Sequence, residues 1–286
     1  MPNSSLDQEH LRTWIGRSET ASDVIDAPKA AAMAATLDLA WSPAAADALP
    51  PLWHWIYFWS AMPMSLLGPD GHAQRGGFLP PVALPRRLWA GGRLQFLAPI
   101  TIGEQAQRVS TIKAVELKQG KSGPLVFVTV SHDVSVRGSV VLREEHDIVY
   151  REAASATDPV AAAKAAPVDA HWSMQIKPDA VQLFRYSALT FNGHRIHYDR
   201  RYANSVEGYP GLIVHGPLIA TLLTELIRRE LPDRVISDFS FRALSPVFDI
   251  APFSVHGILA ADGHHVSLWA ANAQGALAVQ AQAILL

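Results

Sequence analysis

Cysteine is absent from the 286 residues. That excludes disulfides, a thiolate nucleophile and zinc–thiolate sites, and it fits a reducing, cytoplasmic setting. Charge is scarce as well: 17% of residues are Asp, Glu, Lys or Arg, and the formal net charge is −2. No basic block capable of neutralising a polyanion occurs. Nucleic acid is therefore not an expected partner, and basic residues near a site would serve a small acidic ligand. Long apolar runs are missing too. No stretch reaches about 18 uninterrupted apolar residues, the length that spans a bilayer. The opening "MPNSSLDQEHLRTWIGRSET" has no apolar core of signal-peptide length. A cytoplasmic protein without membrane contact is the expectation.

What the chain has is apolar mass, 49% of its residues, enough to bury the cores of two modest domains or one large one. "EAASATDPVAAAKAAPVD", residues 152–169, lacks aromatic and large aliphatic side chains and reads as a linker. It separates residues 1–151 from 170–286. Each part reads as helical material followed by several strands. In the first, "HLRTWIGRS" and "DAPKAAAMAATLDLA" look helical and "PLWHWIYFWSA" looks like an aromatic strand. Four strands follow from Gly92 onward. In the second, a helix from about Pro217 to Arg229 precedes four more. "KQGKSGP", "AADGHH" and "ANAQGA" are hairpin signals. "LQFLAPITIGE" and "FSFRALSPVFD" echo each other, so a duplicated α+β unit is expected.

The chemistry gathers in "LTFNGHRIHYDRRYANSVEGYPGLIVHGPLIATLL". Leu218, Ile219, Leu222, Leu223, Leu226 and Ile227 form an apolar stripe at helical spacing. Pro217 suits the first helical position, and Gly216 before it leaves the positive helix N-terminus open to close approach. A carbonyl turning into an enolate would be stabilised there, although for the residue taken alone a plain N-cap glycine is the simpler account. Upstream stand Asn192, His194, His197 and Asp199. His194, His197 and Asp199 admit a metal site, but the spacing is a thin signal without further ligands. A serine triad lacks its nucleophile elbow. A base acting on water needs only neutral His197 and the orienting amide of Asn192. Structural hydrogen bonding is the bland account of His194 and His215.

Taken together, "TFNGHRIHYD" and "YPGLIVHGPLIATLL" resemble the MaoC-like enoyl-CoA hydratases and dehydratases of the hot-dog fold. That family's pattern is Ser-Gly-Asp-x-Asn-Pro-apolar-His-x-Asp, followed by a segment ending in His-Gly at the central helix. Its catalytic His falls on His197, its following acid on Asp199 and its His-Gly on His215 and Gly216. Its catalytic Asp falls on Asn192, its Asn on His194 and its Pro on Arg195, which are departures. "LPRRLWAGGRLQF" carries the likeness into the first half. The variant resembles the branch holding mitochondrial 3-hydroxyacyl thioester dehydratases and bacterial hydratases of mesaconyl-C4-CoA, 3-methylfumaryl-CoA and itaconyl-CoA.

The resemblance implies an α+β double hot dog, two helices wrapped by antiparallel sheets, with a catalytic second half and a degenerate first half that widens the acyl pocket. Trp53–Trp59 and Gly76–Pro81 are candidates to line it. The implied site is His197, Asn192 and Gly216, with His194 and His215 beside them and no metal or cofactor. A dicarboxylyl-CoA would need an arginine for its free carboxylate, and Arg86, Arg87, Arg185 and Arg195 are the candidates. Hydration of such a thioester is the leading reading. Dehydration of 3-hydroxyacyl thioesters, or a non-catalytic acyl-thioester-binding protein, are the others. Acyl-CoA is the expected partner, and a homodimer is compatible with the fold.

Overall fold

Period-two alternation builds most of this protein. In "LAVQAQAIL", Leu277, Val279, Ala281, Ala283 and Leu285 are buried while Gln280, Gln282 and Ile284 face out. The computed structural model describes residues 6–120, 123–153 and 163–286. The first half holds α1 (Gln8–Arg12), β1 (Ser18–Val24), α2 (Ala27–Thr36), β2 (Arg86–Phe96), β3 (Gln105–Gly120), β4 (Gly123–Val136) and β5 (Ser139–Arg151). The second holds β6 (Trp172–Ile176), α3 (Ala180–Leu189), α4 (Arg200–Ser205), α5 (Gly216–Glu230), β7 (Ile236–Ala243), β8 (Phe253–Leu259), β9 (His265–Ala271) and β10 (Leu277–Leu285).

The ten strands form one antiparallel sheet in the order β1-β3-β4-β5-β2-β7-β10-β9-β8-β6. Counted inwards from either edge, each half runs first, third, fourth, fifth, second. Two hot dogs are thus joined edge to edge through β2 and β7, in register from Gly91–Arg242 to Gln95–Asp238. The glycines of "LWAGGRL" make this seam possible. A Cβ on Gly91 would collide with the carbonyl oxygen of Phe241, so a larger residue would push the halves apart.

The helix α5 is buried along its length: every residue from Leu218 to Ile227 is inaccessible, not only the apolar stripe. It packs on β6, β8, β9 and β10. Its buried threonines are satisfied locally. Thr221 Oγ1 donates to Pro217 O and Thr224 Oγ1 to Thr221 O. Truncating Leu223, fully buried here, to alanine would cost about 2–5 kcal/mol.

The helical layer of the first half is different. α2 spans ten residues and packs on α3 and on a short 3₁₀ turn, Trp53–Ile56. That turn corrects the strand expected at "PLWHWIYFWSA". Leu52 and Phe58 adopt positive φ, 70° and 58°, which breaks an extended run. Trp53, His54, Ile56, Tyr57 and Phe58 are all buried, leaving no solvent face to alternate with. Trp53 Nε1 crosses to α5 and donates to Glu225 Oε1 at 2.9 Å.

Other expectations need adjustment. The helix expected through "HLRTWIGRS" stops at Arg12, and Ser18 already belongs to β1. β1, β6, α3 and α4 were not anticipated. The middle of the expected linker, 154–162, lies outside the described residues. So do 121–122 of the "KQGKSGP" hairpin, although β3 and β4 pair up to Gly120–Gly123. The far end of the linker is anchored: Leu277 N donates to Lys164 O at 2.7 Å and Ala166 N to Gly275 O at 2.9 Å. Among the described residues no helix is long and apolar enough to cross a membrane.

Candidate active site

The motif segment leaves α3 through Phe191, at φ 50°, and turns into a short 3₁₀ turn, Arg195–His197. Asn192 N donates to Ser187 O at 2.8 Å, and Asn192 Oδ1 accepts from His194 N at 3.0 Å. The asparagine therefore braces the loop with its oxygen. Asp199 closes the segment as the N-cap of α4, accepting from Tyr202 N at 3.0 Å.

His197 is the centre of the arrangement. Its Nδ1 lies 2.7 Å from the carbonyl oxygen of Ile213. A carbonyl only accepts, so Nδ1 carries the proton, and in the neutral ring Nε2 keeps a free lone pair. Burial pushes the imidazole down to about 4; the Ile213 carbonyl opposes this and His72 adds to it. The ring is therefore neutral at pH 7, as a proton acceptor must be. Its face stacks on His215, ring centroids 3.7 Å apart and 17° between planes.

His215 is sealed behind it, 1% exposed, with Nε2 at 2.8 Å from Ser187 Oγ. Its Nδ1 is buried without a partner. Placing the proton on Nε2 leaves a bare lone pair at Nδ1, which is cheaper to bury than an unmet N–H. Immediately after His215, Gly216 opens α5. Among the described residues its N–H donates to no backbone carbonyl, and a Cβ there would meet nothing within 4 Å. Space for a ligand thus lies directly in front of the positive helix terminus.

His197, Asn192, His194 and Gly216 line one cavity of about 680 Å³ that also takes in side chains of the first half. Burial, then His72 and His197, hold His194 down to about 2. A second concavity of about 910 Å³, along Arg93, Lys113, Asp238 and Gln282, holds none of the candidate residues.

Several sequence expectations fail on geometry. His215 does not line the cavity; it supports the ring of His197. Arg195 is committed elsewhere: Nη2 donates to Asp199 at 2.7 Å, Nη1 to Pro69 O at 3.0 Å, and the guanidinium lies over Tyr202. Arg86 pairs with Glu207. Arg185 sits on α3 away from the cavity. Only Arg87 of the four lines it, and among the described residues Arg87 is in no ion pair. Asp199, engaged as a cap and by Arg195, is not positioned with the histidines. The cation-ligand types that do gather are Asp70, His72 and His194, within 4.8 Å of one another. Of the expected pocket walls, Trp55 and Leu79 face the cavity.

The sequence reading missed a polar wall in the first half. Glu144, 4% exposed, accepts from Trp55 Nε1 at 3.0 Å and meets His54 Nε2 at 3.0 Å. Burial raises the carboxyl, but His54, His132 and His146 outweigh it and hold it at about 2. Beside it stand Arg108, His132 and His146. A signal existed. Along β5 the inward positions are Leu142, Glu144, His146, Ile148 and Tyr150, so polar residues interrupt the inward face of an otherwise apolar strand.

Comparison with known proteins agrees with this anatomy. The chain is 47% identical over 269 residues, 94% of its length and 95% of the relative's, to the mesaconyl-C(4)-CoA hydratase of Chloroflexus aurantiacus. It is 29% identical to the mitochondrial hydroxyacyl-thioester dehydratase type 2 of Schizosaccharomyces pombe, over 72% of this chain and 77% of that one. The crystal structure of HtdX of Mycobacterium tuberculosis superposes with a TM-score of 0.68 at 21% identity, covering 93% and 99% of the two chains, a likeness of fold. The profile described as hydroxyacyl-thioester dehydratase type 2 matches residues 52–249, spanning the seam between the halves and the whole motif segment. By that match and the extended identity, the chain belongs to the hydroxyacyl-thioester dehydratase type 2 family.

Proposed function

We propose that the protein is a hydro-lyase adding water across the double bond of a short, branched, unsaturated dicarboxylyl-CoA of the mesaconyl-C4-CoA type. 3-Methylfumaryl-CoA is the same thioester under another name, and itaconyl-CoA is a neighbouring choice. One observation carries the reading: a neutral His197, with Nδ1 tied to Ile213 and Nε2 bare, shares a cavity with the open Gly216 amide.

In this scheme the thioester carbonyl rests on the Gly216 N–H. His197 Nε2 takes a proton from water as its oxygen bonds to Cβ. The π electrons shift to Cα and the thioester oxygen, where the helix terminus stabilises the charge. A well-placed donor of this kind is worth about 3 kcal/mol, roughly 10²-fold in rate. His197 Nε2–H then delivers its proton to Cα, so one water is added and the base is restored. Dehydration runs through the same groups in reverse.

In mesaconyl-C4-CoA the free carboxylate is borne by Cβ itself, so its cation must stand beside the reacting water. Arg87 answers that requirement. Its charge is felt by both His72 and His194, and it reaches the cavity. A second reading, dehydration of longer 3-hydroxyacyl thioesters, is favoured by the apolar part of the wall at Leu88, Ile148 and Val247.

The test is the ultraviolet absorbance of the conjugated enoyl thioester, followed across a panel of branched dicarboxylyl, crotonyl and longer enoyl-CoA esters. Loss of conjugation, fastest with a branched dicarboxylyl ester, is expected. Binding without loss of conjugation would make the protein an acyl-thioester-binding module, and release of free CoA thiol a thioesterase. Either result overturns the proposal.

A further inference from the structure

The motif segment alone offers the attacking water, beside His197, no second acceptor of fixed tautomer: the neutral His194 ring lines the same cavity but has no side-chain hydrogen bond among the described residues. Asn192 turns its oxygen to His194 N, and an amide neither gains nor loses a proton at neutral pH. The first half places a loop, Gly68–His72, directly against this gap. Arg195 N donates to Asp70 O at 3.0 Å and Arg195 Nη1 to Pro69 O at 3.0 Å. Gly71, at φ 87°, packs on Gly193 so closely that a Cβ on it would overlap the Gly193 carbonyl. A Cβ on Gly193 would in turn come within 2.9 Å of Gly71 O. Glycine on both sides of one contact, with two hydrogen bonds across it, fixes the loop onto the site.

What the loop delivers is an aspartate–histidine pair. Asp70 Oδ1 accepts from His72 N at 3.0 Å, and Asp70 Oδ2 lies 2.9 Å from His72 Nδ1. A carboxylate accepts, so Nδ1 bears the proton and Nε2 is the ring's free nitrogen. Burial raises the Asp70 carboxyl, but its bonds to His72 outweigh this and keep it ionised. Burial lowers His72 against the pull of Asp70 and keeps it neutral. The His72 ring lies 4.0 Å, centroid to centroid, from His194, whose ring is 5.5 Å from His197. His72 lines the same cavity.

We propose that Asp70 and His72, carried by the opposite half of the molecule, complete the catalytic centre. His72 Nε2 accepts a hydrogen bond from the second O–H of the water whose first proton goes to His197 Nε2, and Asp70 holds the His72 tautomer. The water is thereby held between two bare imidazole nitrogens, with an oxygen lone pair left for Cβ. The proton count is unchanged: His72 holds and does not take the proton. This rests on the hydration reading above.

The full-length protein with His72→Ala tests it, using any thioester the wild type hydrates or dehydrates. kcat should fall about 10²-fold, the scale of losing the orientation of a reacting group, with KM near its original value and the thermal midpoint retained. Added imidazole should restore at least part of the rate, which a purely structural void would not allow. Asp70→Asn should fall between wild type and His72→Ala. Gly71→Ala, which displaces the whole loop, should be slow without imidazole rescue. A His72→Ala protein with wild-type kcat would overturn the inference alone. So would a stoichiometric divalent metal that copurifies with wild type and is lost with His72, since the trio would then be ligands. A wild type that hydrates nothing would instead sink the hydration reading, and this inference with it.

Discussion

The two halves share one strand order and part company in what fills it. The second wraps a 15-residue helix so deep that ten consecutive residues are buried. The first replaces it with α2 and an aromatic 3₁₀ turn, and points Glu144, His146 and His132 towards the space between. A sheet tolerates this divergence because its ladder is made of backbone hydrogen bonds, whereas the helix layer depends on side-chain volume. A duplicated unit can thus keep its sheet, surrender one helix and gain a cavity. In the scheme proposed here the second half supplies base and helix terminus, and the first supplies recognition and the Asp70–His72 pair.

That division can be broken from either side. The largest effect is expected at the second half's base. His197→Ala should lower kcat by about 10³-fold or more while leaving the circular dichroism spectrum and thermal midpoint near wild type. Turnover at a tenth of the wild-type rate would remove His197 from the chemistry. From the first half, Arg87→Met should raise KM for a branched dicarboxylyl-CoA by roughly 10–100-fold, the weight of one charge-assisted bidentate pair. Crotonyl-CoA, which has no free carboxylate, should be turned over as before. Equal losses on both esters would mean that Arg87 does not read the carboxylate.

The smallest effect is shared by both halves. Burial lowers His132 to about 3 and His146 to about 4 on one side, and His194 to about 2 and His197 to about 4 on the other. Each is neutral when folded but takes a proton below about 6.5 once unfolded. Unfolding therefore binds protons between those values. The stability these rings contribute is complete above pH 6.5 and is lost as pH falls from there towards the folded-state values of about 4 to 2. The urea midpoint should be lower at pH 5 than at pH 7, with a single transition if the shared sheet keeps the halves cooperative. An unchanged midpoint would contradict the neutral buried imidazoles. Two transitions would separate the halves.

Much of this was legible beforehand, and the misses have physical causes. The strands β3, β4, β5 and β7–β10 follow from alternation and turn chemistry, and α5 from its 3.6-residue stripe with Pro217 at the start. "WHWIYFW" failed because aromatic residues favour strands on average, while here a buried turn satisfied their bulk and gave Trp53 Nε1 a partner on α5. The arginines failed because a charge in a sequence does not announce its partner. Arg86 meets Glu207 and Arg195 meets Asp199 only after folding. His72 escaped because "GPDGH" is an ordinary turn until Gly193 lies against Gly71.

The sequence alone determined the sheet-forming pattern, the duplicated plan and the burial of the central helix, and it singled out His197 as the candidate base. These rest on local periodicity and on residues close together in the chain. Only the tertiary structure decided which nitrogen of His197 is free, which of the four candidate arginines reaches the cavity, and that an aspartate and a histidine more than a hundred positions upstream stand beside the motif. Those outcomes depend on contacts within the second half, such as His197 with Ile213, and between the halves, such as Asp70 with Arg195, where the partner of each polar group is set by packing and not by its neighbours in sequence.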